Sequence, residues 1–294
     1  MAKKNLKDIH PLIPILCEAV VKNNDCIIEH LNRTKINDHK YIDKFQDRVL
    51  NSLKQQYDYK WGKEIKANGI KEKDSIDIMG DSKNERCIIE IDATRIDQIA
   101  QKFVSRICLW GYTTKRRLLY IALLYKGSDS HSRKEDCEKY IRYCNKIIKK
   151  SKDINSTVIG IYTDGDNIEV WDYNISSSFL ITYPNRIISS NSMVEVAKDV
   201  IDWYAKNKPV KNFDDIEKVF GKFVSKVSCA SKNEIVKTSI GNIYVSKDWR
   251  EYGQRAYWNE FINLCKKLDI IIEKQVIKYK PDDDNKFVYE NREL

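Results

Sequence analysis

Ser75-Ile76-Asp77-Ile78-Met79-Gly80, followed after a short polar turn by Cys87-Ile88-Ile89-Glu90-Ile91-Asp92-Ala93-Thr94-Arg95, is the stretch on which the reading of this chain turns. Both halves are rich in β-branched residues, and the turn from Gly80 to Asn84 folds the second strand back along the first. Side chains two apart on a strand share a face, so Glu90 and Asp92 project together, and Ile76 and Ile78 in alternation place Asp77 on one defined face. Three acids in one place repel each other unless a cation neutralises them, and oxygen-only ligation suits a hard ion such as Mg²⁺. Asp77, Glu90 and Asp92 are therefore the expected metal ligands. Asp74 competes with Asp77 for the first position, and Glu64 and Asp47 are weaker candidates for an added contact.

Outward from this stretch, Trp61 to Ile65 reads as a preceding strand, and Thr94 opens a helix. Ile96, Ile99, Ala100, Phe103 and Ile107 face the core, while Arg95, Gln98, Lys102 and Arg106 are expected on the opposite face. Leu118 to Tyr125 is an almost wholly apolar run, as in a strand buried on both faces. Lys134 to Lys150 is a second amphipathic helix, and Thr157 to Thr163 with Asn167 to Tyr173 makes a hairpin. The order β-β-β-α-β-α-β-β predicts an α/β core, a central mixed sheet flanked by helices.

Ahead of this core, Asp8 to Tyr59 reads as two helices broken at Asn37-Asp38, a helical N-terminal part. Val194 to Lys206 is helical, and Asn207-Lys208-Pro209 marks a boundary before a small α+β appendage. There, helices are expected over Asp214 to Val227 and Trp249 to Leu268, with a strand at Ile240 to Val245. The division by sequence is thus residues 1–59, 60–206 and 210–294.

With 42% hydrophobic and 32% charged residues and only 5 prolines, the chain reads as an ordered globular protein. No run approaches a membrane span and the first residues lack a signal-peptide cleavage site, so a cytoplasmic protein without membrane association is expected. The 8 cysteines include no C-x-x-C pair, which favours thiols filling core positions over a zinc site at Cys137, Cys144 and His131. A net charge of +9 leans toward a polyanionic partner without selecting nucleic acid.

The two acid-bearing segments and the helix after them resemble the PD-(D/E)XK nuclease superfamily, whose acids lie on adjacent strands ahead of a helix. Glu90-Ile91-Asp92 is similar to the variant found in the BamHI- and BglII-like type II restriction endonucleases, where the usual lysine of the second strand is replaced. The similarity spans about residues 61–173. It implies a restriction-endonuclease-like core and Mg²⁺-dependent hydrolysis of double-stranded DNA at a short specific site. It also implies a homodimer, because one such site breaks one strand. By resemblance Asp92 binds metal or orients the attacking water, and Lys102 replaces the missing positive charge. The general base stays open.

Arg95 and Gln98 are expected near phosphate, as are Lys115 and Arg116 ahead of the apolar run. In the tail, Arg250 and Arg255 among aromatic residues are the better DNA contacts, while Trp258, Phe261, Leu264, Cys265 and Leu268 follow helical core spacing. Two other functions fit the same residues: a defence or repair nuclease with relaxed specificity, and a non-catalytic DNA-binding protein on a nuclease-like scaffold.

Overall fold

The apolar residues of the N-terminal part recur at helical spacing, and its described residues form three helices rather than two: α1 (Leu12–Lys22), α2 (Asn24–Leu31) and α3 (Lys40–Gln56). Asn23 separates the first two, its amide donating to the Ala19 carbonyl at 2.7 Å. These coordinates are a computed structural model describing residues 8–31, 40–66, 75–92, 98–111, 116–126, 134–150, 155–165, 167–172, 179–190, 192–226, 233–238, 240–246, 257–283 and 286–294. The expected break at Asn37-Asp38 lies outside them. The chain divides into two units, Met1–Ser176 with Ile277–Tyr289, and Ser177–Val276 with Glu290–Leu294.

The first unit is α/β with a mixed sheet flanked by helices. Its strands are β1 (Lys60–Lys66), β2 (Ser75–Asp81), β3 (Glu85–Asp92), β4 (Arg117–Tyr125), β5 (Ser156–Thr163) and β6 (Ile168–Trp171), adjacent in that order. β3, β4 and β5 run parallel, and the pairs on either side are antiparallel. All of β4 after Arg117 is buried because its alternate residues serve two layers. Leu119, Ile121 and Leu123 pack with Leu16, Phe45 and Val49 of the N-terminal helices. Tyr120, Ala122 and Leu124 pack beneath α4 (Ile99–Arg106) and α5 (Lys134–Lys150), against Phe103, Ile141 and Cys144. α4 is described from Ile99 onward, so the expected opening at Thr94 is outside the described residues; the helix runs into a π-helical turn over Ile107–Gly111.

The second unit holds β7 (Phe179–Tyr183), β8 (Arg186–Ser190), α6 (Met193–Asn207), α7 (Phe213–Phe220), β9 (Val224–Ser225), β10 (Asn233–Thr238), β11 (Gly241–Ser246) and α8 (Tyr257–Lys267). β10, β11 and β9 form one small sheet, and Ile271–Lys274 of β12 (Ile271–Tyr279) pairs with β7. Its core gathers Trp203, Phe220, Trp258, Phe261 and Cys265, the last three as their spacing predicted.

Two expectations change here. The division falls at Ser176–Ser177, so α6 belongs with the tail, and Ile277–Tyr279 of β12 return to the first unit to pair with β6. The helix expected to reach Val227 stops at Phe220, because Gly221 adopts φ +47° and turns the chain into β9. α8 is described from Tyr257, and its expected start at Trp249 lies outside the described residues. A Cβ at Gly221 meets nothing within 4 Å, so only the backbone resists substitution. Gly221→Ala should cost about 1–3 kcal/mol, read as a lower urea midpoint for the second unit's transition. An unchanged midpoint would show that this turn relaxes freely.

Candidate active site

The three acids sit where β2 and β3 stop pairing. Their ladder runs from Asp81–Arg86 to Ile78–Ile89, and one step further the Ile91 N–H donates to Asp77 Oδ2 at 2.7 Å. A side-chain oxygen thus satisfies a backbone donor just past the end of the ladder. Glu90 and Asp92 project from β3 toward α4, as two-residue spacing requires. Lys102 of α4 reaches both: its Nζ lies 3.2 Å from Asp92 Oδ2 and 3.5 Å from Glu90 Oε2. The lysine expected from sequence to replace the missing strand lysine does stand among the acids.

Arg106, one turn beyond Lys102, is a finding the sequence reading missed. It was expected on the polar face, yet it is only 1% exposed, with Nε 2.6 Å from Glu90 Oε1 and Nη2 donating to the Ser75 carbonyl at 3.0 Å. The signal was present: Ile99, Phe103 and Arg106 are spaced by four and three, which puts a charge on the apolar stripe. Tyr120, opposite Ile88 in the β3–β4 register, is buried beneath Phe103 with a hydroxyl that has no hydrogen-bond partner.

Glu64 is also drawn in. It lies across β1–β2 from Asp77, has φ +51°, and accepts from Ser75 Oγ at 2.6 Å and Gln46 Nε2 at 3.3 Å. Such a conformation in a non-glycine residue is strained, and strain of this kind gathers at functional sites. Asp47 is not part of the group; it pairs with Lys63 on the surface. Gln98 stands just ahead of α4, one turn before Lys102.

Arg116 is held at the other end of the strands, 3.4 Å from Asp81, which also takes both prongs of Arg86. Arg117 pairs with Glu85 in the register, so Arg116 is about 26 Å of strand away from Asp92. Arg95, Lys115, Arg250, Arg255, Asp74 and His131 lie outside the described residues. Cys137 and Cys144 are buried and in no disulfide, in keeping with the core role expected of them.

Burial raises the Glu90 carboxyl to about 7, with Asp77 adding to the rise while Lys102 and Arg106 oppose it. Burial also lifts Asp77, against the Ile91 N–H and Lys102, with Glu64 and Asp92 adding. Burial works against the Lys102 charge, yet Asp92, Glu90 and Asp77 hold its pKa above the ordinary value. The site is therefore a pocket of acids whose repulsion is only partly answered by two cations from one helix.

Among the described residues no three His, Cys, Asp or Glu groups already converge in a metal-holding cluster. Lys102 stands between Glu90 and Asp92, and Asp77 points one oxygen at the backbone. One observation nonetheless fits a hard cation: Glu90 Oε2 is buried and accepts no hydrogen bond. Lys102 Nζ at 3.5 Å is too far for a good hydrogen bond, and a buried carboxylate oxygen so poorly satisfied is costly unless a ligand completes it.

No family model matches the chain, and no curated protein does either. Among solved structures, the chain is similar to the central domain of yeast acetyl-CoA carboxylase at 7% identity, over 95% of this chain and 62% of that one. The TM-score is 0.26, too low to carry an argument about fold or function. No described helix is long and apolar enough to cross a membrane.

Proposed function

We propose that the chain is a Mg²⁺-dependent endonuclease hydrolysing double-stranded DNA, most simply a type II restriction enzyme acting as a homodimer at a short site. The observation that carries this reading is Lys102 standing 3.5 Å or less from both Glu90 and Asp92, beside an Asp77 that caps the same strand. Acids from two strands with a lysine beside them are what the PD-(D/E)XK resemblance calls for, with the lysine supplied by α4.

Asp77, Glu90 and Asp92 would hold the ion, and a bound Mg²⁺ supplies a polarised phosphodiester and an acidified water. Lys102 carries its charge at neutral pH and can leave the acids to face the phosphate, since its side chain is 26% exposed. Gln98, one turn ahead, would contact the neighbouring phosphate. Arg95, Lys115, Arg250 and Arg255 remain the proposed DNA contacts beyond this site.

The test is a supercoiled plasmid incubated with the full chain and Mg²⁺. Discrete linear fragments support restriction, a smear supports a nuclease of relaxed specificity, and retarded but uncut DNA would leave only a binding protein. Elution as a dimer supports two-strand cutting by paired sites.

A pH dependence follows from Glu90. It must shed its proton to serve as a ligand, and that proton is held up to about pH 7. At limiting Mg²⁺ the rate should climb about tenfold per pH unit below 7 and level off above it. A rate flat from pH 5.5 to 8 would show that Glu90 is not titrating ahead of the reaction.

A further inference from the structure

We infer that Arg106 is the positioning residue of the acid site, gripping Glu90 Oε1 and the Ser75 carbonyl at once so that Glu90 Oε2 is left facing the reacting side. The inference rests on the nuclease reading and extends it to a residue that touches neither ion nor DNA. Two cations one turn apart on α4 divide one carboxylate between them: Arg106, wholly buried, takes Oε1 at 2.6 Å, and Lys102, partly exposed, faces Oε2 at 3.5 Å. The first belongs to the scaffold and the second to the open side.

Stability alone gives no reason for this arrangement. A buried ion pair is commonly replaced by apolar residues of similar volume at no loss, and Arg106 sits on the stripe of Ile99 and Phe103 where an apolar residue would pack. What a guanidinium adds is a rigid fork that reaches two groups in fixed directions. Here one prong meets β3 at Glu90, and another meets β2 at Ser75, two residues ahead of Asp77. The same side chain therefore sets the rotamer of one proposed ligand and the start of the strand bearing another, beyond the point where backbone pairing joins the two strands.

The test uses the full chain with Arg106→Met and Arg106→Lys, reading Mn²⁺ binding by calorimetry and the Mn²⁺ concentration for half-maximal plasmid cleavage. Arg106→Met should weaken Mn²⁺ binding about tenfold or more, the scale seen when outer partners of metal ligands are lost. Saturating Mn²⁺ should bring its cleavage back to within about threefold of the parent. A merely structural arginine would instead lower the maximal rate, through fewer folded molecules, at an unchanged half-maximal concentration. Arg106→Lys keeps the charge and gives up the fork, so about threefold weaker binding is expected. If the methionine variant does not fold, the lysine variant decides, and parent-like Mn²⁺ binding in it overturns the inference. A parent that binds no Mn²⁺ and cuts nothing overturns the nuclease reading itself; a parent that binds, with variants that bind equally well, overturns only the role of Arg106.

Discussion

Glu90→Gln should abolish Mg²⁺-dependent plasmid cleavage, by about three powers of ten, while the protein stays folded. Glutamine keeps the shape of the side chain and an oxygen to accept from Arg106, so the grip at 2.6 Å has a successor. It removes the negative charge that a divalent ion requires, and a catalytic ion supplies several kcal/mol of transition-state stabilisation. The variant also carries a control on folding. The Glu90 carboxyl rises in the fold from its ordinary 4.5 to about 7, so between those values the folded protein holds the extra proton. Stability contributed by this group is then present at low pH and lost as pH rises toward 7, and the glutamine variant should lack that slope. Cleavage equal to the parent's would remove Glu90 from the chemistry. A thermal midpoint with the parent's full pH slope would remove it from the titration as well.

Phe103→Ala should destabilise the first unit by about 3–5 kcal/mol, because a fully buried ring leaves a cavity that the sheet beneath cannot fill. Phe103 is 0% exposed and meets Tyr120 edge-on at 5.2 Å between ring centres. It lies between Lys102 and Arg106 in sequence, so the ring that anchors α4 also aims both cations at Glu90. The loss should appear as a lower denaturant midpoint at unchanged slope. Cleavage by the molecules that remain folded should fall too, since a small displacement of α4 carries both cations with it. A stability within about 1 kcal/mol of the parent would mean that α4 is held by something other than this contact.

The central part of the fold could be read in advance because its signals are local. The unbroken apolar run of Leu118 to Tyr125 requires two covered faces, and it serves two layers. The charged and apolar stripes of Lys134–Lys150 mark a helix whose observed bounds are the same. By contrast, β12 joins β6 from more than a hundred residues away, and nothing near Ile277 announces that partner. The α7 helix was read too long because Gly221 followed by apolar residues fits a helical stripe until the glycine's φ is known.

At the site, Glu90 and Asp92 could be placed from the strand period, while Lys102 was set beside them by the resemblance and not by the helix period. Arg106 was misplaced because charge was taken as a sign of solvent, when its position on the stripe of Ile99 and Phe103 was the better guide. The strain at Glu64 and its approach to Asp77 depend on cross-strand register, which one strand's pattern does not carry.

Asp77 and Glu90 each commit one oxygen to architecture, the first to the Ile91 amide and the second to Arg106. Were these residues to hold an ion, each would have a single oxygen left to offer it. A small octahedral ion that prefers to keep much of its water is content with so few protein oxygens, whereas Ca²⁺ seeks six to eight and favours carboxylates that chelate with both. Ion preference would then be written into the scaffold's own hydrogen bonds, with Mn²⁺ substituting for Mg²⁺ far better than Ca²⁺ does.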